Sequence, residues 1–298
     1  MINQLVAKAL PLVPRSLVRV IAMRYIAGET IGDAVNTVLE LNSENAKATI
    51  DVLGEFVKSR EQAISETATS RIVLDAIAEN NLDSGLSVKL TSLGLEFDDE
   101  FCYRNLRSIV QHAAEVERFV RIDMENSPYT SRTLLMYRRL REEGFENVGF
   151  VLQAYMRRST RDIDDLADLK PSVRLCKGIY RELPQIAYQT REDVQDNFKR
   201  LLRQLLDNGS YVGIATHDDV LVQDAQLLLK DKAQYAGRYE YQMLYGVRTE
   251  LRRALIMDGN RLRVYVPFGA DWYGYSVRRL RENPQIAGHV FRAIFRKE

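Results

Sequence analysis

Short apolar runs rich in β-forming residues alternate with longer charged stretches of helical pattern, and this alternation limits the fold more than any other feature. Eight runs are predicted as strands, at residues 48–57, 85–93, 119–125, 148–155, 172–177, 211–217, 239–244 and 261–268. Helical patterns between them include residues 105–117, 130–143, 191–208, 220–233 and 247–258. Alternating strands and helices imply a parallel sheet, and eight units in about 250 residues favour closure into an α/β barrel of the (βα)8 type.

Composition limits the class of protein and its partners. The 298 residues carry 42 Lys and Arg against 41 Asp and Glu, a formal net charge of +1. This balance argues against nucleic acid as the main partner, because phosphate binding needs a surplus of cations. No apolar run approaches the ~18 residues of a transmembrane span. Since no linker divides the chain, we predict an N-terminal helical arm over residues 1–46 and one barrel domain over residues 47–298.

Several kinds of site are disfavoured by what the sequence lacks. It contains three histidines and neither a CxxC nor an HxxxH spacing, so we expect no metal site. Neither GxGxxG nor GxxxxGK[ST] follows a predicted strand, which argues against a Rossmann or P-loop nucleotide site. Cys102 and Cys176 lie far apart and are typical of free thiols in a reducing cytoplasm.

The N-terminal arm is basic. Its first 28 residues contain no acid but include Lys8, Arg15, Arg19 and Arg24. An apolar helical face around Leu17 favours a first helix that covers part of the core. The alternatives are a basic amphipathic surface that touches anionic membrane, or a transit peptide.

Polar residues stand at most of the predicted strand ends, where a barrel of this type carries its chemistry. They are Lys89, Thr91, Asp123, Glu125, Gln153, Arg174, Lys177, Thr216, His217, Gln242 and Tyr265. Period-two alternation places Arg121, Asp123 and Glu125 on one strand face. Buried charges are costly unless they are paired or bind something. The pattern therefore indicates either an ion-pair layer that closes the barrel or a large polar ligand site, and the number of polar ends favours the ligand site.

Two of the residues expected at this site, His217 and Cys176, also have interpretations that need no catalytic role. His217 has no second histidine nearby, so a hydrogen-bonding role or packing against a cofactor is favoured over metal binding. Cys176 lies in an apolar run and is most simply a small buried hydrophobic residue.

The segment after the last strand carries a stripe of side chains at helical spacing. Tyr275, Arg278, Arg279 and Glu282 stand at i, i+3, i+4 and i+7. Two adjacent guanidinium groups on such a stripe form a receptor for a small carboxylate. The alternative is an ordinary solvated basic helix face.

Eight spaced motifs in the same order resemble the proline dehydrogenase family. They are Ser87-Val88-Lys89-Leu90, Arg121-Ile122-Asp123-Met124-Glu125, Gln153-Ala154-Tyr155, Arg174-Leu175-Cys176-Lys177-Gly178, Ala215-Thr216-His217-Asp218, Glu240-Tyr241-Gln242-Met243-Leu244-Tyr245-Gly246, Arg263-Val264-Tyr265 and Tyr275-x-x-Arg278-Arg279-x-x-Glu282. The resemblance covers essentially the whole chain and is closest to the monofunctional bacterial type. We therefore expect no DNA-binding segment and no appended aldehyde dehydrogenase.

The resemblance implies a distorted (βα)8 barrel with its last helix over the mouth, and oxidation of L-proline to Δ1-pyrroline-5-carboxylate. By similarity, Arg278, Arg279 and Lys89 would bind the proline carboxylate, and Asp123 would pair with Lys89. The residues expected around the pyrrolidine ring are Tyr180, Leu244, Tyr265 and Tyr275.

The resemblance also implies FAD as cofactor. The matching positions are Gln153, Arg174, Cys176, Lys177, Gly178, Thr216, His217 and Gln242, with Glu282 close to the cofactor. Electrons would pass to a membrane quinone, and the product to a separate pyrroline-5-carboxylate dehydrogenase. A cytoplasmic protein, peripheral at the inner membrane, fits this role. Ile179 and Arg181 depart from the family pattern, which often has a small residue at the first position and, in the bifunctional relatives, Trp at the second.

Two other functions fit a flavin-type or carboxylate-binding barrel. One is a reductase similar to methylenetetrahydrofolate reductase, which would accept NADH. The other is a barrel that binds a carboxylate ligand without catalysis.

Overall fold

Eight parallel strands form a closed barrel in the part of the chain that the structure describes. This computed structural model describes residues 19, 22–54, 56–230, 233–274 and 276. Each strand pairs with the next along the chain, and β8 pairs with β1. The strands are β1 (Lys47–Val52), β2 (Ser84–Val88), β3 (Val120–Ile122), β4 (Val148–Gln153), β5 (Ser172–Cys176), β6 (Tyr211–Ala215), β7 (Tyr239–Leu244) and β8 (Leu262–Phe268). The predicted α/β barrel is confirmed.

Helices surround the barrel. They are α1 (Ile31–Ser43), α2 (Arg60–Glu79), α3 (Asp99–Glu115), α4 (Ser127–Glu142), α5 (Ser159–Asp165), α6 (Arg191–Asp207), α7 (Asp219–Leu229) and α8 (Thr249–Met257). A capping box starts α1: the Asp33 amide donates to Thr30 Oγ1 at 3.1 Å, and the Thr30 amide donates to Asp33 Oδ2 at 2.9 Å. This helix, from the predicted arm, packs against β1 and β8. None of the helices described here is long and apolar enough to cross a membrane.

The predicted strand positions hold, but several strands end earlier than the sequence indicates. The sequence predicts that β1 extends to residue 57, but the strand ends at Val52. Likewise, β2 is predicted to extend to residue 93 and ends at Val88. Beyond β2 the buried segment Leu90–Leu93 forms a 3-10 turn. The prediction was wrong there because a buried turn has the same apolar pattern as a buried strand.

Alternate strand residues face the helices and the barrel interior. Ile50, Phe150 and Ile214 are fully or almost fully buried in the hydrophobic core. At two interior positions, glycine leaves room for long polar side chains. A Cβ at Gly149 would lie 2.5 Å from Arg121 Nη1, and a Cβ at Gly213 would lie 2.3 Å from Gln242 Nε2.

The N-terminal half of the barrel interior is closed by buried charges. Arg263 Nε lies 2.6 Å from Glu240 Oε1, and the Tyr211 hydroxyl donates to Glu240 Oε2 at 3.0 Å. Arg121 donates through Nη1 to the carbonyl of Ser172 at 2.6 Å. Burial alone would raise the pKa of Glu240, but Arg263 more than offsets this and holds the pKa below its ordinary value. An ion-pair layer, the alternative to a ligand site for the polar strand residues, is therefore present in this half of the barrel.

Candidate active site

A cavity of about 300 Å³ lies at the C-terminal end of the barrel. Side chains at or just beyond the ends of β2 to β8 form its wall. Predicted site residues in this wall are Lys89, Asp123, Gln153, Arg174, Cys176, Lys177, Gly178, Tyr180, His217, Gln242, Leu244 and Tyr265. Asp123, Gln242 and Tyr265 stand two residues after Arg121, Glu240 and Arg263. The alternation along each strand thus separates the cavity from the ion-pair layer beneath it.

The remaining predicted site residues are not in this wall. Thr216 is buried beside the cavity, where its Oγ1 accepts a hydrogen bond from the Asp218 amide at 3.1 Å. Tyr275, Arg278, Arg279 and Glu282 lie outside the described residues.

Asp123 is the centre of a hydrogen-bonded network in the cavity wall. Its Oδ1 accepts from Arg174 Nη1 and from Ser87 Oγ, each at 2.8 Å. Its Oδ2 accepts from the Tyr265 hydroxyl at 2.7 Å and lies 3.4 Å from Lys89 Nζ. The structure thus shows the Lys89–Asp123 pair that the resemblance implies. The guanidinium of Arg174 also stands over the Tyr265 ring, 5.0 Å from its centroid.

The network shifts the pKa values of Asp123 and Tyr265 in opposite directions. Burial alone would raise the pKa of the Asp123 carboxyl, but Lys89 and Arg174 more than offset this, so its pKa lies below the ordinary value. Burial, with the charge of Asp123, raises the pKa of Tyr265 well above its ordinary value. Asp123 is therefore a carboxylate acceptor and Tyr265 a hydroxyl donor near neutral pH.

Asp51 is a neighbour of Lys89 that the sequence pattern did not indicate. Its Oδ1 lies 2.6 Å from Lys89 Nζ, and the residue is 1% exposed. It occupies an inward position near the end of β1, in register with Ser87. Period-two alternation along a shorter β1 would have drawn attention to it, because a carboxylate at an inward position needs a cation.

The amide of Gln242 is held in one orientation from both ends. Its Oε1 accepts from Arg174 Nε at 2.7 Å, and its Nε2 donates to Glu240 Oε1 at 2.7 Å. Exchanging the two amide ends would set donor against donor and acceptor against acceptor. Gln242 therefore links Glu240, in the ion-pair layer, to Arg174 in the cavity wall.

His217 and Cys176 both line the cavity. Nε2 of His217 accepts a hydrogen bond from the Leu244 amide at 2.9 Å, so Nε2 carries no proton in this arrangement. The hydrogen-bonding role considered for this residue is therefore present. Cys176 is partly exposed to the cavity, and its sulfur lies 3.5 Å from the Leu152 carbonyl oxygen.

A second cluster stands at the cavity edge around Asp218. Its Oδ2 accepts from Lys177 Nζ and from Gln195 Nε2, each at 3.0 Å. Arg191 Nη2 lies 3.2 Å from Oδ1, which also accepts from the amide of Val220 at the start of α7. Burial opposes ionisation, but Lys177 and the other donors outweigh it and lower the pKa of Asp218 to about 2.

Glu125 completes the wall on the β3 side. Its carboxylate accepts from the Thr91 amide at 3.0 Å and from the Thr91 hydroxyl at 2.5 Å. Its backbone carbonyl accepts from Gln153 Nε2 at 2.9 Å, which positions the Gln153 amide at the cavity. The end of β3 and the end of β4 are thus bonded to each other.

The loop after β5 supplies the opposite wall. Gly178 has φ of +104°, and a Cβ there would lie 2.1 Å from the Tyr155 ring. The glycine therefore lets the backbone pass directly over Tyr155. Ile179 and Tyr180, the next two residues, line the cavity.

The charges around the cavity are balanced within the part of the chain that the structure describes. Lys89, Arg174 and Lys177 are the lining cations, and Asp123 and Glu125 are the lining carboxylates. Asp51 adds a third carboxylate directly behind Lys89. Arg174 is paired with Asp123 and Lys177 with Asp218, so each lining cation already faces a carboxylate. No group of three His, Cys, Asp or Glu side chains suited to a metal ion occurs among the described residues.

Known proteins of one family match this chain. The family profile described as Proline dehydrogenase matches residues 34–292. Proline dehydrogenase 1 of Bacillus subtilis subsp. natto is 41% identical over 276 residues, which cover 93% of this chain and 91% of that protein. Proline dehydrogenase of Deinococcus radiodurans is 35% identical over 280 residues, 93% of this chain and 90% of that protein.

Solved structures agree with these matches at the level of the fold. Proline utilization A (PutA) from Bdellovibrio bacteriovorus, inactivated by N-propargylglycine, superposes with a TM-score of 0.81 at 24% identity. The match covers 89% of this chain and 32% of that one, so this chain spans about a third of PutA. With the profile and the relatives covering most of its length, the chain belongs to the proline dehydrogenase family.

Proposed function

We propose that the protein uses FAD to oxidise L-proline to Δ1-pyrroline-5-carboxylate, the first step of proline breakdown to glutamate. The observation that carries this proposal is the network of Lys89, Asp123, Arg174 and Tyr265 in a cavity at the C-terminal end of a barrel of this family. Such cavities hold the active site in barrels of this type.

The chemistry of the cavity wall fits a flavin. Gln153 and Gln242 offer amides for the polar edge of an isoalloxazine ring, and Val151 and Met243 offer apolar surface. Arg174 and Lys177 offer cations, and His217 a ring whose orientation is fixed by the Leu244 amide. We propose that these residues, together with Cys176, Gly178, Thr216 and Glu282, hold FAD. Bound FAD would accept a hydride from the substrate carbon next to the nitrogen.

The charge balance of the cavity supports a carboxylate-binding role for the segment after β8. Lys89 already faces Asp51 and Asp123, so it brings little surplus positive charge of its own. In the proposed function, Arg278 and Arg279 add the surplus, and together with Lys89 they bind the proline carboxylate. Binding in this way fixes the substrate relative to the cofactor, which lowers the entropy cost of reaction.

The substrate amine must be neutral before oxidation. Cations that surround the bound carboxylate favour the neutral amine over the ammonium form. The described residues of the cavity include none that must act as a general base, so we propose that solvent takes the proton. Tyr180, Leu244, Tyr265 and Tyr275 would pack around the pyrrolidine ring and exclude water from it.

Electrons would leave through a membrane quinone, and the product would pass to a separate pyrroline-5-carboxylate dehydrogenase. We propose a cytoplasmic protein that meets the inner membrane transiently through its basic N-terminal arm. Of the arm cations, Arg19 lies 3.2 Å from Glu29 in an exposed ion pair. Arg24 is also among the described residues, whereas Lys8 and Arg15 lie outside them. Liposome cosedimentation that is unchanged when all four charges are neutralised would contradict this role.

The absorption spectrum of the purified protein tests the proposed function. A yellow protein that bleaches anaerobically with L-proline supports it, with formation of Δ1-pyrroline-5-carboxylate as the second readout. Bleaching with NADH and not with L-proline would instead indicate a reductase. A colourless protein that binds no added FAD would indicate a carboxylate-binding barrel without catalysis.

A further inference from the structure

Helix α4 begins without a capping side chain of its own. Its N-cap residue, Asn126, makes no side-chain capping bond. The carboxylate of Glu182, 55 positions after Ser127, supplies one from the loop after β5. Its Oε1 accepts from the Ser127 amide at 2.7 Å, and its Oε2 accepts from the Ser127 hydroxyl at 2.8 Å. A carboxylate at this end of a helix is favoured by the unsatisfied amides and by the helix dipole.

Both partners of this contact stand next to the cavity wall. Asp123, Met124 and Glu125 line the cavity and are followed closely by Ser127. Gly178, Ile179 and Tyr180 line the opposite wall, and Tyr180 stands two residues before Glu182. The strands that lead into these walls, β3 and β5, are not adjacent, because β4 lies between them. The contact of Glu182 with Ser127 therefore joins two walls that the sheet itself does not bond together.

The loop after β5 is anchored on both sides of this contact. On the N-terminal side of Glu182, the carbonyl of Lys177 accepts a hydrogen bond from the Tyr155 amide at 2.8 Å. On the C-terminal side of Glu182, the Pro184 carbonyl accepts a hydrogen bond from Arg157 Nε at 3.1 Å. The Ile186 carbonyl accepts one from the Arg157 amide at 2.9 Å. Glu182 lies between these anchors, and its side chain ties the segment from Ile179 to Leu183 to the start of α4.

We propose that Glu182 is a positioning residue, which fixes Tyr180 relative to Asp123 and so sets the width of the substrate cavity. It acts through Ser127 and the loop backbone and does not itself touch the substrate. The identity of that substrate, L-proline, rests on the proposed function, whereas the anchoring of the loop does not.

Steady-state kinetics of three variants test the positioning role. Glu182→Ala removes both hydrogen bonds, so we expect the KM for L-proline to rise about 3- to 10-fold with kcat changed less than about twofold. Glu182→Gln keeps an acceptor for the Ser127 amide and can donate to its hydroxyl, so we expect a KM within about twofold of the wild type. Thr30→Ala is the matched control, because it removes a helix cap on α1 away from the cavity and should leave both constants unchanged.

Amide hydrogen exchange gives a readout that needs no substrate. We expect faster exchange in residues 178–183 of Glu182→Ala than in the wild type or Thr30→Ala, since the loop loses its contact with α4. Unchanged exchange would overturn the anchoring. Faster exchange with an unchanged KM for L-proline would overturn the positioning role. A wild-type protein that does not oxidise L-proline would refute the proposed function, and the exchange result would still decide the anchoring.

Discussion

The Nζ atom of Lys89 lies 2.6 Å from Oδ1 of Asp51, where the ends of β1 and β2 meet. Both side chains are largely buried, with 11% and 1% of their surfaces exposed. Lys89 is therefore held by two carboxylates, Asp51 and Asp123. Two carboxylates of the protein thus orient the Lys89 ammonium in the cavity wall.

Replacing Asp51 tests this arrangement. Asp51→Asn leaves Lys89 with one carboxylate in a buried site, so we expect the free energy of unfolding to fall by about 2–4 kcal/mol. Asp83→Asn is the matched control: Lys47 and Asp83 form a pair of the same length, 2.6 Å, at the surface. Loss of such an exposed pair should cost less than about 1 kcal/mol. Urea unfolding followed by circular dichroism measures the unfolding free energy of both variants. Equal losses of free energy would contradict the burial of the Asp51–Lys89 pair.

The proposed carboxylate-binding role of Arg278 and Arg279 predicts a specific kinetic effect. Either Arg278→Ala or Arg279→Ala should raise the KM for L-proline strongly, equivalent to about 1.5–3 kcal/mol of lost charged hydrogen bonding. Arg71→Ala, an exposed arginine on α2, serves as the control and should leave KM unchanged. Normal proline binding by either of the first two variants would rule out a role for that arginine in binding the proline carboxylate.

Stability at acid pH should depend on Asp218. The pKa of this carboxyl is about 2 in the folded protein against an ordinary value of 3.8. The unfolded chain therefore takes up its proton at higher pH, so the stabilisation is complete above the ordinary value and is lost as the pH falls towards 2. The difference corresponds to about 2 kcal/mol.

Asp218→Asn removes the charge of Asp218 but keeps the helix cap, because Asn is also a good N-cap for α7. We expect the variant to be less stable than the wild type at pH 6 and the gap to shrink as the pH falls from 4 towards 2. Asp224→Asn, which removes a carboxylate from the same helix, is the control. The urea concentration at the midpoint of unfolding is measured for the wild type and both variants across this pH range. A gap that is constant with pH would mean that Asp218 does not stabilise the fold through its charge.

A methyl group inside the barrel should disturb the Gln242 network. Gly213→Ala places its Cβ 2.3 Å from Gln242 Nε2, so the amide must move away from Glu240 and Arg174. We expect a loss of about 2–3 kcal/mol of unfolding free energy, as for other overpacked sites. Gly32→Ala on α1 meets only Thr30 Oγ1 at 3.7 Å and should be neutral or stabilising by up to about 1 kcal/mol. Thermal unfolding of the two variants distinguishes these outcomes.

Local patterns in the sequence were sufficient to predict the fold and to indicate many of the residues that line the cavity. Alternating strands and helices identify the barrel, and alternation along β3 and β7 places Asp123 and Gln242 at its functional end. The motif resemblance then supplies the residues of the loop after β5. These features depend on neighbours in sequence, so no knowledge of register was needed.

Contacts between distant segments could not be predicted in the same way. Asp51 precedes Lys89 by 38 positions, and only the register of β1 with β2 shows that they meet. Glu182 is one of many charged loop residues until the loop is seen against the start of α4. Strand ends also differ from prediction, because the apolar pattern continues through the buried 3-10 turn after Lys89.

Closure of the barrel has a consequence for how the protein is made. The pairing of β1 with β8 brings Arg263 against the carbonyl of Ala48, 215 positions earlier. During synthesis β1 leaves the ribosome long before β8, so β1 and the newest strand both present unpaired edges until residues 262–268 emerge. Such edges are templates for aggregation, and contacts of this length form slowly. We therefore expect nascent chains that stop short of β8 to depend on chaperones for their solubility.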